Sequence, residues 1–296
     1  MLRRPATLRA RGPRVPETLG LLAREKFFVG GLVALLIVVV PALLAPAIAP
    51  YKDFLATVGP IAQPPSWFGK YPLGTTDFGQ DVASQLLFGT RNTLYVASIA
   101  AVEATLIALA LGVIGGFLGG YVDAFFNFIT NTFLVIPTFT VLLLIATFIK
   151  HPTLTLEAVI IGAFSWPWAA RAYRSAAMSM RSRDFITVAR LNGLGGLAIT
   201  FQEVMPLLLP YIAIMFVLTL NGSLMADVGL DAIGLGPGNT ITLGLMLNYA
   251  WGWGAVFYGW WWWYIFPTIV IILLTTSLAT LAMGLDRVFN PRLRGG

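Results

Sequence analysis

The sequence predicts an all-α protein that crosses a membrane six times. Of its 296 residues, 57% are hydrophobic and only 11% are charged, and mean hydropathy is +0.80; this composition does not suit a water-soluble surface. Six apolar runs are near or above the roughly 18–20 residues that a bilayer-spanning helix needs. Each run is almost continuously apolar and several contain Gly or Pro, which favours a helix bundle over a barrel of alternating strands.

The apolar runs define the predicted spans in chain order, at 27–49, 93–118, 125–149, 155–170, 207–226 and 260–285. The fourth is short because Arg171 follows it, and Pro137 and Pro167 are expected to kink the helices that contain them. The predicted divisions of the chain are a basic segment (1–26), a first span (27–50), an external segment (51–92), a membrane core (93–285) and a cytoplasmic tail (286–296). Within the core, we expect a cytoplasmic helix at about 184–202 and an external loop at about 227–257.

The distribution of Lys and Arg predicts the orientation, because basic residues near span ends stay on the cytoplasmic side. Of nineteen such residues, seven precede the first span, five lie between the fourth and fifth, and three follow the sixth. Six spans place these fifteen on one side. The remaining four are Lys52, Lys70, Arg91 and Lys150. Both termini are therefore predicted to be cytoplasmic.

The first span has a rival interpretation as a secretory signal, since a basic leader precedes it and Ala47-Ile48-Ala49 resembles a cleavage site. The run from Phe27 is about 23 residues long, however, and a signal core has about 7–15. Pro50 directly after the triplet also disfavours cleavage. A retained membrane anchor is predicted.

The sequence lacks the residues that several classes of protein need for their function. The chain has no Cys and one His, His151, which disfavours thiolate metal sites and His-centred triads. No P-loop pattern is present, because the Gly69-Lys70 pair is followed by Tyr71. We expect no catalytic residue, no metal site and no directly bound cofactor. The net charge of +6 is attributed to membrane topology rather than to nucleic-acid binding.

Polar side chains within the predicted core are candidates for a translocation pathway. Glu103 is the clearest, and it either lines the pathway or hydrogen-bonds a neighbouring helix. Asn131, Asn221 and Asp227 are weaker candidates. Proton-driven carriers usually need several ionisable groups inside their spans, so a single Glu gives that class little support.

The glycines around the end of the second span and the tryptophans around the start of the sixth span each allow two interpretations. Gly112, Gly116 and Gly120 repeat at the G-x-x-x-G spacing, which indicates close packing between helices. We favour packing inside this subunit over packing against a partner permease. Trp251, Trp253 and the run 260–263 are expected to form an interfacial aromatic belt. Contact between some of these rings and a sugar or peptide is the alternative.

The connection between the fourth and fifth spans contains five arginines and is predicted to be cytoplasmic. Asp184 is expected to cap a short helix whose Phe185, Val188 and Ala189 share a face. Gly193 then breaks the helix, and Pro206 suits the opening turn of the fifth span. The exposed apolar patch of this helix is expected either to adsorb to lipid or to fit a partner's groove.

This connection resembles the EAA-type loop of ABC importer permeases. The match consists of the segment from Phe185 to Arg190, then Gly193, Phe201 and Pro206. Thr187 stands where the family has Glu, and Glu203 stands where peptide-type members often carry a basic residue. The resemblance implies that the loop docks into an ATPase subunit mainly through apolar contact and shape. The implied coupling residues are Asp184, Phe185, Thr187, Val188, Ala189, Arg190, Gly193, Phe201 and Pro206.

A second stretch is more specific. Pro72-Leu-Gly-Thr-Thr-Asp77-Phe-Gly-Gln-Asp81, continuing to Gly89-Thr-Arg91-Asn-Thr-Leu94, closely resembles the segment before the second span in C-type permease subunits of dipeptide and oligopeptide transporters. Further matches lie at 119–123, 233–236 and 290–294. The resemblance thus covers the chain from about Pro72 onward.

The resemblance implies one permease of an ATP-driven importer in the cell membrane. Its partners would be a second homologous permease, two cytoplasmic ATPases that hold ATP and Mg²⁺, and an external substrate-binding protein. Short peptides are the first expected substrate, oligosaccharides a near second and nickel a less favoured third. An ion-coupled secondary carrier is the alternative from a different class; it would show inverted repeats and coupling carboxylates.

Overall fold

The computed structural model describes residues 20–289, which form a helical bundle without a β-strand in that range. Single helical turns lie at Ala45–Ile48 and Ala255–Tyr258. The longer helices are α1 (Lys26–Leu43), α2 (Val82–Leu118), α3 (Gly120–Val135), α4 (Thr138–Phe148), α5 (Leu154–Ser165), α6 (Pro167–Met180), α7 (Asp184–Leu191), α8 (Gly196–Ala232), α9 (Leu243–Gly252) and α10 (Trp261–Phe289).

The all-helical prediction is confirmed, and the structure supports four or five of the six predicted spans. Among the described residues, α1, α2, α8 and α10 are each long and apolar enough to cross a membrane. Helices α3 and α4 meet this condition only as a pair, which is bent by 77°. Helix α5 is apolar but has only 12 residues. By length and composition, the described residues therefore contain four candidate spans, or five if the bent pair is one.

Two prolines account for the interrupted helices. Ile136 has an extended backbone with φ −74° and ψ 124°, the conformation favoured before proline. Pro137 follows it and α4 begins at Thr138, so the expected kink is a break between two helices. Pro167 occupies the first position of α6, where its missing N–H costs no hydrogen bond.

Helix boundaries extend well beyond two of the predicted spans. Helix α2 begins at Val82 rather than at 93, because the Asp81 carboxylate caps it by accepting from the Ser84 amide at 2.8 Å. Helix α8 begins at Gly196 and continues to Ala232. Within it, the π-helical turn Thr200–Val204 gives way to a regular α-helix at Met205, and Pro206 lies in the first turn of that α-helical part, as predicted. The wider π-helical turn accommodates Pro206, which has no amide hydrogen to donate.

The first helix packs directly on the last. A Cβ at Gly31 would lie 2.7 Å from the backbone nitrogen of Leu281, and Gly284 touches the backbone of Phe28. Glycine on both sides lets the backbones of α1 and α10 approach closely. At the end of this contact, Arg287 lies over the Phe27 ring, 4.0 Å from its centroid. These contacts place α1 in the bundle against α10.

Helices α2 and α8 each pack against several other helices. Helix α2 packs on α5 and α8, and α8 also packs on α10. At the far end of α2, a Cβ at Gly116 would lie 2.6 Å from the Arg174 carbonyl oxygen, while Gly112 touches the Ala170 carbonyl. The predicted packing of these glycines inside the subunit is confirmed. Gly120 has nothing within 4 Å and takes no part in it.

Three predicted features lie partly or wholly outside the described residues. The basic segment 1–26 is described only from Gly20, the cytoplasmic tail 286–296 only as far as Phe289, and the match at 290–294 lies wholly beyond that residue.

Candidate functional site

Helix α7 is a short helix that starts without a side-chain cap. Its N-cap residue is Arg183, with φ −77° and ψ 144°, and no side chain bonds the free amides there. The prediction that Asp184 caps the helix is therefore wrong, because Asp184 is the first helical residue. Its negative charge still lies in the first turn, where it interacts favourably with the helix dipole.

Gly193 ends α7 in the left-handed conformation, with φ +81°. The Leu194 amide donates to the Ala189 carbonyl at 3.2 Å, and the Gly193 amide donates to the Arg190 carbonyl at 2.9 Å. This pair of bonds is a Schellman motif, which satisfies carbonyls that the helix end would leave free. A glycine is needed here because a side chain is strained at this φ. The chain then reverses, and α8 begins at Gly196.

The inward face of α7 is formed by Ile186 and Ala189, which are 0% and 6% exposed. The outward face carries Phe185, Val188 and Leu191, which are 36%, 56% and 82% exposed. The expectation that Ala189 shares the exposed face is therefore wrong. Thr187 and Arg190 are also exposed.

Exposed apolar side chains continue into the first turns of α8. Leu197 is 54% exposed and Phe201 53%. Together with Phe185, Val188 and Leu191 they constitute what we call the α7 patch. Helix α7 is thus amphipathic, and its apolar outer surface has no cover within the described chain.

A packed junction of buried side chains lies beneath the α7 patch. Ile186, Ala189 and Ile199 belong to one buried cluster together with Phe117 at the end of α2 and Tyr173 of α6. A Cβ at Gly196 would lie 2.7 Å from Leu118 Cδ2. A force applied to α7 would therefore reach α2, α6 and α8 through packed side chains.

Helices α3 and α6 are joined by polar contacts near this junction. Arg174 donates from Nε to Asp123 Oδ1 at 2.6 Å and from Nη2 to Asp123 Oδ2 at 2.8 Å. The hydrogen bond to Asp123 raises the pKa of Arg174 further above its usual value. Arg171 donates to Asn131 Oδ1 at 2.8 Å. Asn131, a pathway candidate, is therefore engaged in helix pairing.

The other pathway candidates lie in different surroundings. The Glu103 carboxylate lies against Gly162 of α5, where a Cβ would be 2.6 Å from Oε2. Asn221 has a buried side-chain oxygen without a hydrogen-bond partner. Asp227 is fully buried, and neither carboxylate oxygen has a partner. Among the described residues, no hydrogen bond or ion pair joins Glu103, Asn131, Asn221 and Asp227 to one another.

Asp227 instead belongs to a group of three buried carboxylates. Glu157 of α5 and Asp231 of α8 complete it, and one oxygen from each lies within 4.8 Å of the others. Sequence reasoning missed this group because the predicted fifth span ended at 226 and left both aspartates in an external loop. The i, i+4 spacing of Asp227 and Asp231, which places them on one helix face, was the available signal. Buried ionisable groups are thus less scarce than expected.

A broad cavity of about 380 Å³ lies where the broken helices meet α8. Phe133 and Phe139 line it from either side of the α3–α4 bend, Trp168 lines it from α6, and Leu218 and Gly222 line it from α8. The lining is mainly apolar and aromatic with a few hydroxyls, as is usual for sites that hold organic ligands.

The segment Pro72–Asp81 is a structural element of the opposite end of the bundle. The Trp262 indole donates to the Thr75 carbonyl at 3.0 Å, and the Thr76 hydroxyl accepts from the Phe78 and Gln80 amides at 3.2 Å each. Trp262 and Trp263 are only 5% and 1% exposed, so the prediction that they belong to an interfacial belt is wrong. Trp251 and Trp253 are 71% and 50% exposed and remain candidates for it.

Comparison with known proteins agrees with these features. Residues 108–295 match the family model described as "Binding-protein-dependent transport system inner membrane component". The chain is 29% identical to the dipeptide transport system permease protein DppC of Haemophilus influenzae, over 75% of this chain and 77% of that protein. It is 30% identical to the di/tripeptide transport system permease protein DppC of Pseudomonas aeruginosa, over 72% of each, and 29% identical to the oligopeptide transport system permease protein OppC of Mycobacterium bovis, over 72% and 73%.

Proposed function

Because the chain belongs to the family of binding-protein-dependent transport system inner membrane components, a multi-pass permease family of the inner membrane, we propose that it is the permease of an ATP-driven importer of short peptides. The proposed partners are a second homologous permease, two cytoplasmic ATPase subunits that bind ATP and Mg²⁺, and an external substrate-binding protein. The named relatives with peptide substrates support the substrate class.

The α7 patch is the observation that carries this proposal. Permeases without their own ATPase need a surface that receives the movement of a partner, and the α7 patch is apolar, exposed and firmly backed. In the proposed mechanism, an apolar groove of the ATPase covers Phe185, Val188 and Leu191, and ATP-driven closure moves α7 together with the ends of α2, α6 and α8. Burial of an apolar helix face in a groove is a common mode of protein recognition. Lipid adsorption of the same face is the competing explanation.

The proposed topology keeps six crossings with both termini in the cytoplasm. The bent pair α3–α4 forms the third crossing, and α5 with the beginning of α6 forms the fourth. This arrangement places the five arginines of the α6–α8 region on the same side as the N terminus, which agrees with the positive-inside tendency.

The substrate path is proposed to run beside the broken helices. Breaks within membrane helices are tolerated where the backbone lines a cavity or packs in protein, and the 380 Å³ cavity lies at two such breaks. Its aromatic and apolar lining suits the side chains of short peptides. Exposed Trp251 and Trp253 keep oligosaccharides as the second candidate, since indole rings also suit the apolar faces of sugars.

Transport by the reconstituted complex tests the function. The permease is co-reconstituted into proteoliposomes with its genomic-neighbour permease, ATPases and binding protein, and uptake of labelled tripeptides and trisaccharides is measured with and without ATP. ATP-dependent peptide uptake is expected. Sugar uptake alone would transfer the assignment to oligosaccharides, and uptake driven by an ion gradient without the ATPases would indicate a secondary carrier.

A further inference from the structure

The three buried carboxylates of Glu157, Asp227 and Asp231 lie where α5 approaches the end of α8. Asp227 and Asp231 are 0% exposed and Glu157 is 8% exposed. Within the part of the chain that the structure describes, the two ion pairs formed are Arg174–Asp123 and Arg287–Glu25. Neither involves this cluster.

The oxygens of this cluster lack partners to an unusual degree. Both oxygens of Asp227, both of Glu157 and Oδ1 of Asp231 are buried and accept no hydrogen bond of good geometry, although the Thr93 side chain lies close to Asp227 and Glu157 lies close to Asp231. The other Asp231 oxygen accepts from the Thr242 hydroxyl. Buried carboxylates are normally paired, hydrogen-bonded or bound to metal, because burial of an unpaired charge is costly. The unpartnered and fully buried carboxylate of Asp227 therefore points to a missing ligand, separately from the mere proximity of three acids.

The separation of the oxygens fits a hard divalent cation. Ca²⁺ binds oxygen ligands at roughly 2.3–2.6 Å, so two ligands on opposite sides of the ion are about 5 Å apart. The three oxygens lie within 4.8 Å of one another, and an ion between them can contact all three. The cluster contains no sulfur or imidazole, which disfavours softer metals.

We propose that Glu157, Asp227 and Asp231 bind one divalent cation of the calcium class. The ion joins α5 to α8 and neutralises most of the charge that the three carboxylates bring into the bundle. Through Asp231 and Thr242 it also fixes the start of α9, because the Thr242 hydroxyl caps α9 by accepting from the Leu245 amide at 3.1 Å.

Neighbouring glycines hold Asp231 in a close-fitting cradle. A Cβ at Gly236 would collide with the Asp231 carboxylate, and a Cβ at Gly244 would lie 2.5 Å from Asp231 Cβ. The Thr93 side chain of α2 lies beside Asp227, and its hydroxyl accepts from the Leu243 amide at 3.1 Å. The carboxylates are thus positioned by α2, α5, α8 and α9 together, and a preorganised ligand set binds an ion more tightly than a mobile one.

Metal binding by the full chain tests the proposal. The protein is purified in lipid nanodiscs, treated with a chelator and titrated with Ca²⁺, Mg²⁺ or Mn²⁺ by calorimetry, and the metal content before chelation is measured by mass spectrometry. We expect one Ca²⁺ per chain and a melting temperature that rises with Ca²⁺. Asp227→Asn and Asp231→Asn should each weaken binding by about tenfold or more, since even loss of groups around a ligand shell costs about 10- to 100-fold.

Asp53→Asn, which alters an exposed acid, is the matched control and should bind Ca²⁺ as the unaltered chain does. If the asparagine variants fail to fold, the titration and the metal content of the unaltered chain still show whether the protein binds a divalent cation. Absence of any metal in the purified chain together with no Ca²⁺-dependent change would overturn the proposal and indicate protonated carboxyl groups that share hydrogen bonds. Equal binding by all variants would also overturn it, because the ion would then lie elsewhere.

Discussion

The Leu194 amide and the Ala189 carbonyl are joined by a 3.2 Å hydrogen bond that closes α7 around Gly193. Ala189 is buried against the bundle, whereas Val188 beside it is exposed. The bond therefore fixes the point at which the α7 patch leaves the supporting core and the chain turns into α8.

Replacement of Gly193 tests whether this turn matters for coupling. At φ +81° a β-branched residue is strongly disfavoured, whereas Asn adopts the left-handed region more readily. Gly193→Val should sharply reduce substrate-stimulated ATP hydrolysis in the assembled transporter, and Gly193→Asn should retain most of it. Membrane insertion should be the same for both. Equal activity of the two variants would show that the conformation of the turn is unimportant.

The contact between α2 and α6 predicts a stability difference between two glycines. In Gly116→Ala the added methyl group meets the Arg174 backbone, 2.6 Å from its carbonyl oxygen, and the helices have to separate at a cost of about 1–3 kcal/mol. Gly222→Ala is the control, because nothing lies within 4 Å of its Cβ position and Ala favours a helix by about 1 kcal/mol. Melting in detergent should fall for the first variant and stay equal or rise for the second.

The indole of Trp262 should stabilise the Pro72–Asp81 segment. Trp262→Phe removes the donor to the Thr75 carbonyl and leaves that carbonyl unpaired, for an expected loss of about 1–3 kcal/mol. Trp251→Phe alters a side chain that is 71% exposed and should change stability little. The measurement is thermal melting followed by limited proteolysis of the external segment. Similar behaviour of both variants would remove the structural role assigned to this tryptophan.

The lack of cysteine allows the proposed topology to be tested directly. Single cysteines at Leu191, 82% exposed, and at Phe68, fully exposed, are labelled with a membrane-impermeant maleimide in intact spheroplasts. Phe68→Cys should react and Leu191→Cys should react only after permeabilisation. Labelling of both positions from the outside would contradict the cytoplasmic position of α7.

The amphipathic character of α7 was predictable from the sequence, but its inner face was not. Phe185, Val188 and Ala189 share a stripe at helical spacing, yet the core lies on the side of Ile186. Exposure rises from Phe185 to Val188 to Leu191 as the positions rotate away from that side. Which half of a short amphipathic stripe faces inward depends on its packing partners, Tyr173 of the preceding helix α6 and Phe117 at the distant end of α2.

The carboxylate cluster was hidden for a related reason. A hydropathy pattern ends a span at its first acids, whereas α8 continues through Asp227 and Asp231 to Ala232 because the approach of α5 and α9 buries them. The breaks at Pro137 and Pro167 were predictable, since proline disrupts a helix through local sterics alone. Long-range burial of polar groups has no comparable local signal.

The central claim is that the α7 patch transmits the action of an ATPase. The most direct measurement is substrate-stimulated ATP hydrolysis by the reconstituted complex with Leu191→Asp or Val188→Asp, compared with Phe68→Asp as an exposed apolar control outside the patch. A charge in an apolar interface is costly, so the two patch variants should lose both ATPase co-purification and stimulation, while the control should keep both. Full stimulation with Leu191→Asp and Val188→Asp would contradict the claim.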